Sequence, residues 1–181
     1  MSKYNWKKIS TRKTYIHSRF NIIEDRVIRP DGAKGIYNFV SVMPAVIVLP
    51  VTDKKEIMLI RQYRYPVRKY SWELPGGSSD GKALLPAAKR ELWEETGYEA
   101  AQWNKLGSFQ MLGGISNGVE HVYIARKLKK VKQAGLPDEA IVAVRAFNLK
   151  TIAQMIRDKK IRDAQTISAL MLGFMHLGLR L

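Results

Sequence analysis

A run of five apolar residues at 45–49, Ala-Val-Ile-Val-Leu, limits the fold of this chain more than any other feature. A strand with one solvated face alternates apolar and polar residues, and this run does not alternate. It therefore predicts a strand buried on both faces of its sheet. Such a strand needs packing partners on either side, which favours a layered fold.

The remaining pattern supplies further strands and a small number of helices. Strands are predicted within residues 1–43 and at 56–60, 71–74, 105–112, 120–126 and 140–147. Helices are predicted at about 86–96, 150–158 and 163–177. Many strands with few helices indicate an α+β or α/β sandwich with a mixed sheet, not a doubly wound fold.

The 181 residues are enough for one domain with a small appendage. The chain contains no Cys, which excludes disulfides, thiolate metal sites and a Cys nucleophile, and suits a reducing compartment. The first residues lack the apolar core of a signal peptide, and no apolar run approaches the ~18 residues of a membrane span. We therefore expect a cytoplasmic protein with no membrane-spanning segment.

The chain is strongly basic, with 31 Lys and Arg against 16 Asp and Glu and a net charge of +15. An excess of this size suggests a polyanionic partner. The basic residues are scattered and form no arginine-rich stripe, so most of them are interpreted as solvated surface that steers anionic substrates. Nucleic acid is not an expected partner.

One candidate motif is a near match to a phosphate-binding loop. Gly76 and Gly81-Lys82 have the required spacing between a strand and a helix. Ala83 follows, however, so the hydroxyl that would hold Mg²⁺ is missing, and Pro86 delays the start of the helix. We interpret this loop as a tight turn that needs glycine.

A second candidate, residues 114–118, fits the GxSxG pattern of serine hydrolases, and Asp138 and His176 follow in the order of a triad. A nucleophile elbow requires a helix directly after the serine. Residues 119–124 are β-branched and aromatic, which predicts a strand. This segment is therefore interpreted as a turn between strands.

The third candidate is a cluster of carboxylates on the helix predicted at 86–96. Glu91, Glu94 and Glu95 fall within about 100° of arc, on one helix face. Like charges at this spacing destabilise a helix, and a bound divalent cation would reverse that effect. A solvated acidic face, partly neutralised by Lys89 and Arg90, is the alternative interpretation.

Residues 73–98 resemble the Nudix box, Gx5Ex7REUxEExGU. The flanking segments resemble the ADP-ribose pyrophosphatase branch of that family. Residues 61–66 are similar to its RQYRYP strand end, 71–75 to its ELPAG approach and 161–170 to the start of its C-terminal helix. The likeness extends over about residues 14–175.

The resemblance implies a Nudix α/β/α sandwich with a mixed sheet at 44–181, preceded by a small antiparallel β unit at 1–43. In the family this first unit is exchanged between the subunits of a dimer, so a homodimer is expected. The implied activity is metal-dependent hydrolysis of a nucleoside diphosphate linked to X. ADP-ribose or another nucleotide sugar is the expected substrate, giving a nucleoside monophosphate and a sugar phosphate.

The resemblance also implies a metal site for Mg²⁺ or Mn²⁺. Glu91 and Glu95 match the family's metal-binding glutamates, with the backbone carbonyl of Gly76 as a further ligand. Glu94 matches a carboxylate close to the metal and is expected to be catalytic.

The resemblance further implies substrate contacts and a general base. Arg64 matches an arginine that contacts the substrate, and Arg61 of the same strand end is expected to assist it. The base in this branch often lies on a late loop, where Glu139 is the candidate. A simple turn acid beside Pro137 is the alternative interpretation of Glu139.

Two departures from the family pattern motivate a rival hypothesis. Lys82 stands where the box has its first glutamate, and would repel Arg90 unless Asp80 substitutes for the missing acid. Gly118 stands where this branch often has an acid before a strand. A Nudix-fold module that binds nucleotide sugars or nucleic acid with little or no catalysis is therefore the alternative function.

Overall fold

The computed structural model describes residues 5–131 and 140–178. The chain divides into two compact units, each described separately below. The first consists of Met1–Met43 and Gln110–Val119, and the second of Pro44–Phe109 and Glu120–Leu181.

The first unit contains a three-stranded antiparallel sheet in the order β1-β2-β3. Its strands are β1 (Lys7–Ile16), β2 (Phe20–Ile28) and β3 (Lys34–Val42). The turn between β2 and β3 contains Gly32 at φ 87°, a left-handed conformation that suits glycine. The antiparallel β unit predicted at the N-terminus is therefore confirmed, with three strands.

The segment Gln110–Val119 belongs to this first unit, although the sequence placed it with the second. The Tyr37 hydroxyl donates a hydrogen bond to the Gly114 carbonyl at 2.8 Å, and the Val42 N–H donates to Asn117 Oδ1 at 3.1 Å. A strand follows the segment, as predicted, so its GxSxG pattern lies in a connection between strands.

The second unit contains two sheets and three helices. The mixed sheet has the order β7-β4-β9-β8, with β4 parallel to β9. An antiparallel sheet has the order β10-β5-β6. The strands are β4 (Ala45–Pro50), β5 (Ile57–Arg64), β6 (Lys69–Glu73), β7 (Gly76–Ser78), β8 (Tyr98–Gln110), β9 (Val119–Lys130) and β10 (Ile141–Phe147). The helices are α1 (Leu84–Thr96), α2 (Leu149–Arg157) and α3 (Ala164–His176), and a 3₁₀ turn spans Tyr65–Val67.

Strand β4 is buried on both faces, as its apolar run predicts. Val46 and Val48 pack in a cluster with α1 that includes Leu92. Ile47 and Leu49 lie in the other cluster, which includes buried residues of α2 and α3. Helices therefore cover both sides of the mixed sheet, and the predicted α/β/α sandwich is confirmed.

The helix ends follow the local sequence. Gly97 ends α1 at φ 75°, and its N–H donates to the Trp93 carbonyl. At the start of α3, the side chain of Asp163 accepts a hydrogen bond from the Thr166 N–H at 2.6 Å. Helix α1 begins at Leu84, two residues before the predicted start. None of the helices in the described ranges is long and apolar enough to cross a membrane.

Gly76 is expected to tolerate no side chain, because β7 pairs closely with β4. A Cβ at this position would lie 2.4 Å from the Val46 carbonyl oxygen and 2.9 Å from Ile47 Cα. Backbone atoms cannot move aside cheaply, so Gly76→Ala should lower the free energy of unfolding by about 3 kcal/mol. Urea unfolding would measure this. Gly114→Ala, where a Cβ would meet nothing within 4 Å, is the control, and equal losses would contradict the expectation.

Candidate active site

The acidic face of α1 is buried. Glu91 and Glu95 are 5% and 2% exposed. The side chain of Glu94, on the same face, is 27% exposed. Ionised groups are rarely buried without compensation, so this face is not a solvated acidic surface.

Two glycines of β7 receive the buried carboxylates. The Gly76 N–H donates a hydrogen bond to Glu95 Oε2 at 2.8 Å. A Cβ at Gly77 would lie 2.7 Å from Glu91 Oε1, so this carboxylate occupies the space that a side chain would fill. The Gly-Gly pair is therefore required for close approach to the α1 carboxylates.

Arg90 forms ion pairs with two of the α1 carboxylates, Glu91 and the more exposed Glu94. Its Nη2 lies 2.7 Å from Glu91 Oε1 and its Nη1 lies 2.9 Å from Glu94 Oε2. Nη2 also donates to the Ser78 carbonyl at 2.9 Å and to Asp80 Oδ2 at 3.3 Å. Burial lowers the pKa of Arg90, but the charges of Glu91, Glu94 and Asp80 outweigh burial and raise it. The guanidinium therefore stays charged and fixes the carboxylates.

Asp80 provides an acidic partner for Arg90 in the loop where the box lacks its first glutamate. It reaches Arg90 from the loop before α1, with its own backbone at φ 51°. Lys82 is exposed, and its side chain forms no ion pair within residues 5–131 and 140–178. Arg90 therefore has Asp80 as an acidic partner in this loop, the pairing considered from the sequence.

Arg64, at the end of β5, donates two hydrogen bonds to the buried carboxylate of Glu73. Its Nε and Nη2 donate to Glu73 Oε2 at 3.0 and 2.7 Å. Burial and the nearby Asp163 raise the pKa of Glu73, whereas the hydrogen bonds from Arg64 oppose that rise. Burial lowers the pKa of Arg64, but its bonds to Glu73 and the charges of Glu73, Glu95 and Asp163 raise it. Arg64 thus interacts electrostatically with three acids, which are Glu95 of α1, Glu73 of β6 and Asp163 at the start of α3.

Glu120 belongs to the same electrostatic cluster and was not predicted. It lies near the start of β9, is 4% exposed and pairs in register with Ala45 of β4. Burial, with a smaller contribution from Asp163, raises the pKa of Glu120 to about 7, and Arg64 opposes the rise. A glutamate inside an apolar strand is the sequence signal that could have identified it.

Gly118 has no room for the acid that the family often places there. A Cβ at this position would lie 2.8 Å from Met111 Cε and from Val42 Cγ2. The buried acid of the strand that follows is instead Glu120, two residues further along the chain. Strand β9 therefore carries a buried acid close in sequence to position 118.

Glu120→Gln is expected to change how stability depends on pH in metal-free protein. The folded chain keeps a proton on Glu120 up to about pH 7, while the unfolded chain releases it near 4.5. Stability from this group is therefore complete below pH 4.5 and is lost as pH rises through 7, by up to about 3 kcal/mol.

Chemical denaturation in EDTA between about pH 5 and 7.5, a range that covers most of this titration, would test the expectation. Glu120→Gln should be more stable than wild type at the upper end and should show a flatter profile. Glu99→Gln removes an exposed carboxylate and serves as the control. Parallel profiles for Glu120→Gln and wild type would contradict a buried, titrating Glu120.

The structure brings together four of the residues predicted for the site: Glu91, Glu95, Gly76 and Arg64. Glu94 lies at the exposed edge of the same cluster, on Arg90. The roles of these residues remain predictions.

Two other predicted residues lie apart from this cluster or outside the described ranges. Arg61 alternates with Arg64 along β5, faces the other side of the sheet and contacts the Tyr70 ring. Glu139 lies outside the described residues, as does Asp138 of the serine hydrolase alternative. Their roles also remain predictions.

The donor set fits a hard divalent cation. Glu91 and Glu95 supply two buried carboxylates beside the Gly76 backbone. Within the described ranges, no group of three or more Asp, Glu or His side chains is placed so that the group alone could hold a metal ion. Mg²⁺ is commonly held by one or two carboxylates, with substrate phosphates and water completing its coordination. An open site of this kind suits a metal that meets a phosphate substrate.

Comparison with known proteins agrees with this geometry. Residues 42–170 match the model of the NUDIX domain. The chain belongs to the Nudix family. It is 33% identical over 165 residues to the methanol dehydrogenase activator of Bacillus methanolicus, covering 90% of this chain and 89% of that protein. It is 27% identical over 172 residues to the ADP-ribose pyrophosphatase of Bacillus subtilis (strain 168), covering 94% and 93%.

A solved structure gives the same fold. The crystal structure of an ADP compounds hydrolase superposes with a TM-score of 0.85 at 21% identity, covering 98% of this chain and 97% of that one. At this identity the match concerns the fold alone. Together, these findings confirm the predicted family, its sandwich fold and the assignment to the Nudix hydrolases.

Proposed function

We propose that this Nudix protein is a metal-dependent pyrophosphohydrolase that cleaves the diphosphate of ADP-ribose or another nucleotide sugar. The products are a nucleoside monophosphate and a sugar phosphate. The observation that carries the proposal is the buried Glu91–Glu95 pair, held against Gly76 and Gly77 and placed beside Arg64. The ADP-ribose pyrophosphatase relative, similar over nearly its whole length, supports the choice of substrate.

The proposed metal is Mg²⁺ or Mn²⁺, held by Glu91, Glu95 and the Gly76 carbonyl. When bound, it would neutralise charge on the diphosphate and lower the pKa of an attacking water. Arg90 contributes by fixing the outer carboxylates, which removes rotational freedom from the site before substrate arrives.

Arg64 is proposed to bind the substrate diphosphate. Glu73 holds one edge of its guanidinium, which orients the group at little entropic cost on binding. The side chain is 47% exposed, so an anionic ligand can reach it from solvent. Arg61 faces the other side of the sheet. Of these two arginines of β5, Arg64 is therefore the one that interacts with Glu95.

The general base is proposed among three carboxylates. Glu94 is partly exposed, but its Oε2 is engaged by Arg90. Glu139 is the candidate from the family resemblance. Glu120 is buried, and its pKa of about 7 matches the requirement for a base that works near neutral pH.

We propose a cytoplasmic location for the protein.

A homodimer through the N-terminal β unit is also proposed. All ten residues of β1 are exposed, and β1 is an edge strand of its sheet. Large apolar side chains on and beside it are exposed as well, including Trp6, Ile9 and Ile16. An exposed apolar edge favours pairing with another chain. Light scattering would give twice the monomer mass if the proposal holds.

Product identification tests the proposed reaction. ADP-ribose and GDP-mannose would be incubated with the protein and Mg²⁺ or Mn²⁺, and the products separated by mass spectrometry. A nucleoside monophosphate and a sugar phosphate in equal amounts are expected, and EDTA should stop their formation. Binding of ADP-ribose without any product would favour the binding module instead.

A second candidate follows from the relative at 33% identity, which is a methanol dehydrogenase activator. That similarity extends over most of both chains, so the same role is proposed here as an alternative. Adding the protein to a methanol dehydrogenase and measuring methanol oxidation would test it. Comparing wild type with Glu95→Gln would show whether activation depends on the α1 carboxylates.

A further inference from the structure

A pocket lies on the face of the β10-β5-β6 sheet opposite Arg64. It has a volume of about 420 Å³, within the range of small-molecule sites. Its walls combine three basic and three aromatic side chains, and none of its described lining residues is acidic. These six residues are Arg61, Arg145, Lys160, Tyr70, Trp72 and Phe147.

The two arginines are neighbours across the strands. Arg61 pairs with Ala143 and Arg145 pairs with Leu59, so the arginines are diagonal neighbours on one sheet face. Diagonal neighbours of this kind are roughly 7–8 Å apart, and their Cβ atoms are somewhat closer. Neither guanidinium forms an ion pair within residues 5–131 and 140–178. Two like charges placed together without a carboxylate favour an external anion.

The aromatic rings form a wall beside these charges. The guanidinium of Arg61 lies 4.9 Å from the centroid of the Tyr70 ring. Trp72 and Phe147 pack edge to face, with centroids 4.9 Å apart and planes at 82°. Trp72 is directly opposite Arg61 in the register of β5 and β6. A planar ring could therefore lie against the aromatics while an attached anion reaches the arginines.

Hydrogen bonds hold the side of the pocket that is formed by Lys160 and its neighbours. The Trp72 N–H donates to the Lys160 carbonyl at 3.0 Å, and the Arg162 N–H donates to Ser71 Oγ at 3.3 Å. The Lys160 ammonium lies 3.7 Å from Asp158, a loose surface pair worth little energy. The pocket is thus formed before any ligand arrives, which lowers the entropic cost of binding.

We propose that this pocket is a binding site for a nucleoside monophosphate, separate from the diphosphate site at Glu91 and Glu95. The phosphate would lie between Arg61 and Arg145, and the base would pack against Trp72 and Tyr70. The site needs no metal, because its cations come from the protein. It does not depend on the proposed hydrolysis, since β5 presents Arg61 and Arg64 on opposite faces.

Calorimetry with AMP in EDTA tests the proposal, because chelation removes metal-mediated binding at the α1 carboxylates. The double variant Arg61→Gln/Arg145→Gln should bind AMP at least about tenfold more weakly than wild type, as expected from losing charge-assisted hydrogen bonds. Adenosine should bind wild type more weakly than AMP does, and inorganic phosphate more weakly as well. Arg26→Gln, an exposed arginine of the first unit, should bind like wild type.

A second variant keeps the test valid if the double variant folds poorly. Thr151 lines the pocket from α2, so Thr151→Trp should fill it without changing any charge and should weaken AMP binding. No AMP binding by wild type at millimolar concentration, or unchanged affinity in a folded pocket variant, would overturn the proposal. Equal affinities for AMP and adenosine would overturn the role of the two arginines.

Discussion

Replacing Glu95 by glutamine is expected to lower kcat on the proposed substrate by on the order of 10³, with little change in thermal stability. Such a factor corresponds to about 4 kcal/mol of transition-state stabilisation, a reasonable share for a metal ligand. The amide has the same shape, and its oxygen can still accept the hydrogen bond from the Gly76 N–H. The charge that would hold the cation is lost, while the contact that holds the fold remains.

Glu99→Gln is the matched control for this prediction, because it removes an exposed carboxylate of the same type. Steady-state kinetics and thermal melts would be recorded for both variants in parallel. A large fall in melting temperature for Glu95→Gln, with normal kcat in the folded fraction, would contradict the prediction. The carboxylate would then have a structural role only.

Replacing Arg64 by alanine is expected to lower the free energy of unfolding by about 2 kcal/mol and to abolish hydrolysis. Glu73 is 3% exposed, so in the variant its carboxylate would remain buried without the two hydrogen bonds and the positive charge of Arg64. Breaking a fully buried pair costs about 3–5 kcal/mol. We expect less here because Arg64 is 47% exposed and water can approach the pair.

The double variant Arg64→Ala/Glu73→Gln separates the two effects. The glutamine carries no charge, so no unpaired carboxylate stays buried, and more than half of the lost stability should return in urea unfolding experiments. Hydrolysis should stay absent, because the proposed substrate contact is still missing. Recovery of activity together with stability would show that Arg64 acts only by holding Glu73.

The parts of the fold that follow from local pattern could be predicted. The apolar run of β4 has no polar face, so its burial on both sides needs no knowledge of distant residues. The spacing of Glu91 and Glu95 places both on one helix face in any helix. Gly97 could be identified as the end of α1 because the left-handed conformation suits glycine.

The parts that depend on pairing between distant strands could not be predicted. Glu120 is buried because β9 lies parallel to β4 inside the sheet, with Val122 and Ile124 on the same face. Strand β8 begins at Tyr98, seven residues before the predicted start, and pairing with β9 prevails over a weakly β-forming sequence. The Asp80–Arg90 pair depends on the path of a loop, which spacing alone does not reveal.

The same limit applies to the two arginines of β5. Their proximity in sequence suggested one shared role, although Arg61 and Arg64 point to opposite sides of the strand. One lies in the acidic cluster and the other in the aromatic pocket. Strand alternation carries this information, and a motif match does not.

Release of AMP from ADP-ribose, measured for wild type and Glu95→Gln with Mg²⁺ and with EDTA, tests the central claim most directly. We predict AMP and ribose phosphate in equal amounts from wild type with Mg²⁺. EDTA should prevent their release, and Glu95→Gln should release almost none. No release by wild type, or equal release by wild type and Glu95→Gln, would contradict a diphosphate-cleaving site built on the α1 carboxylates.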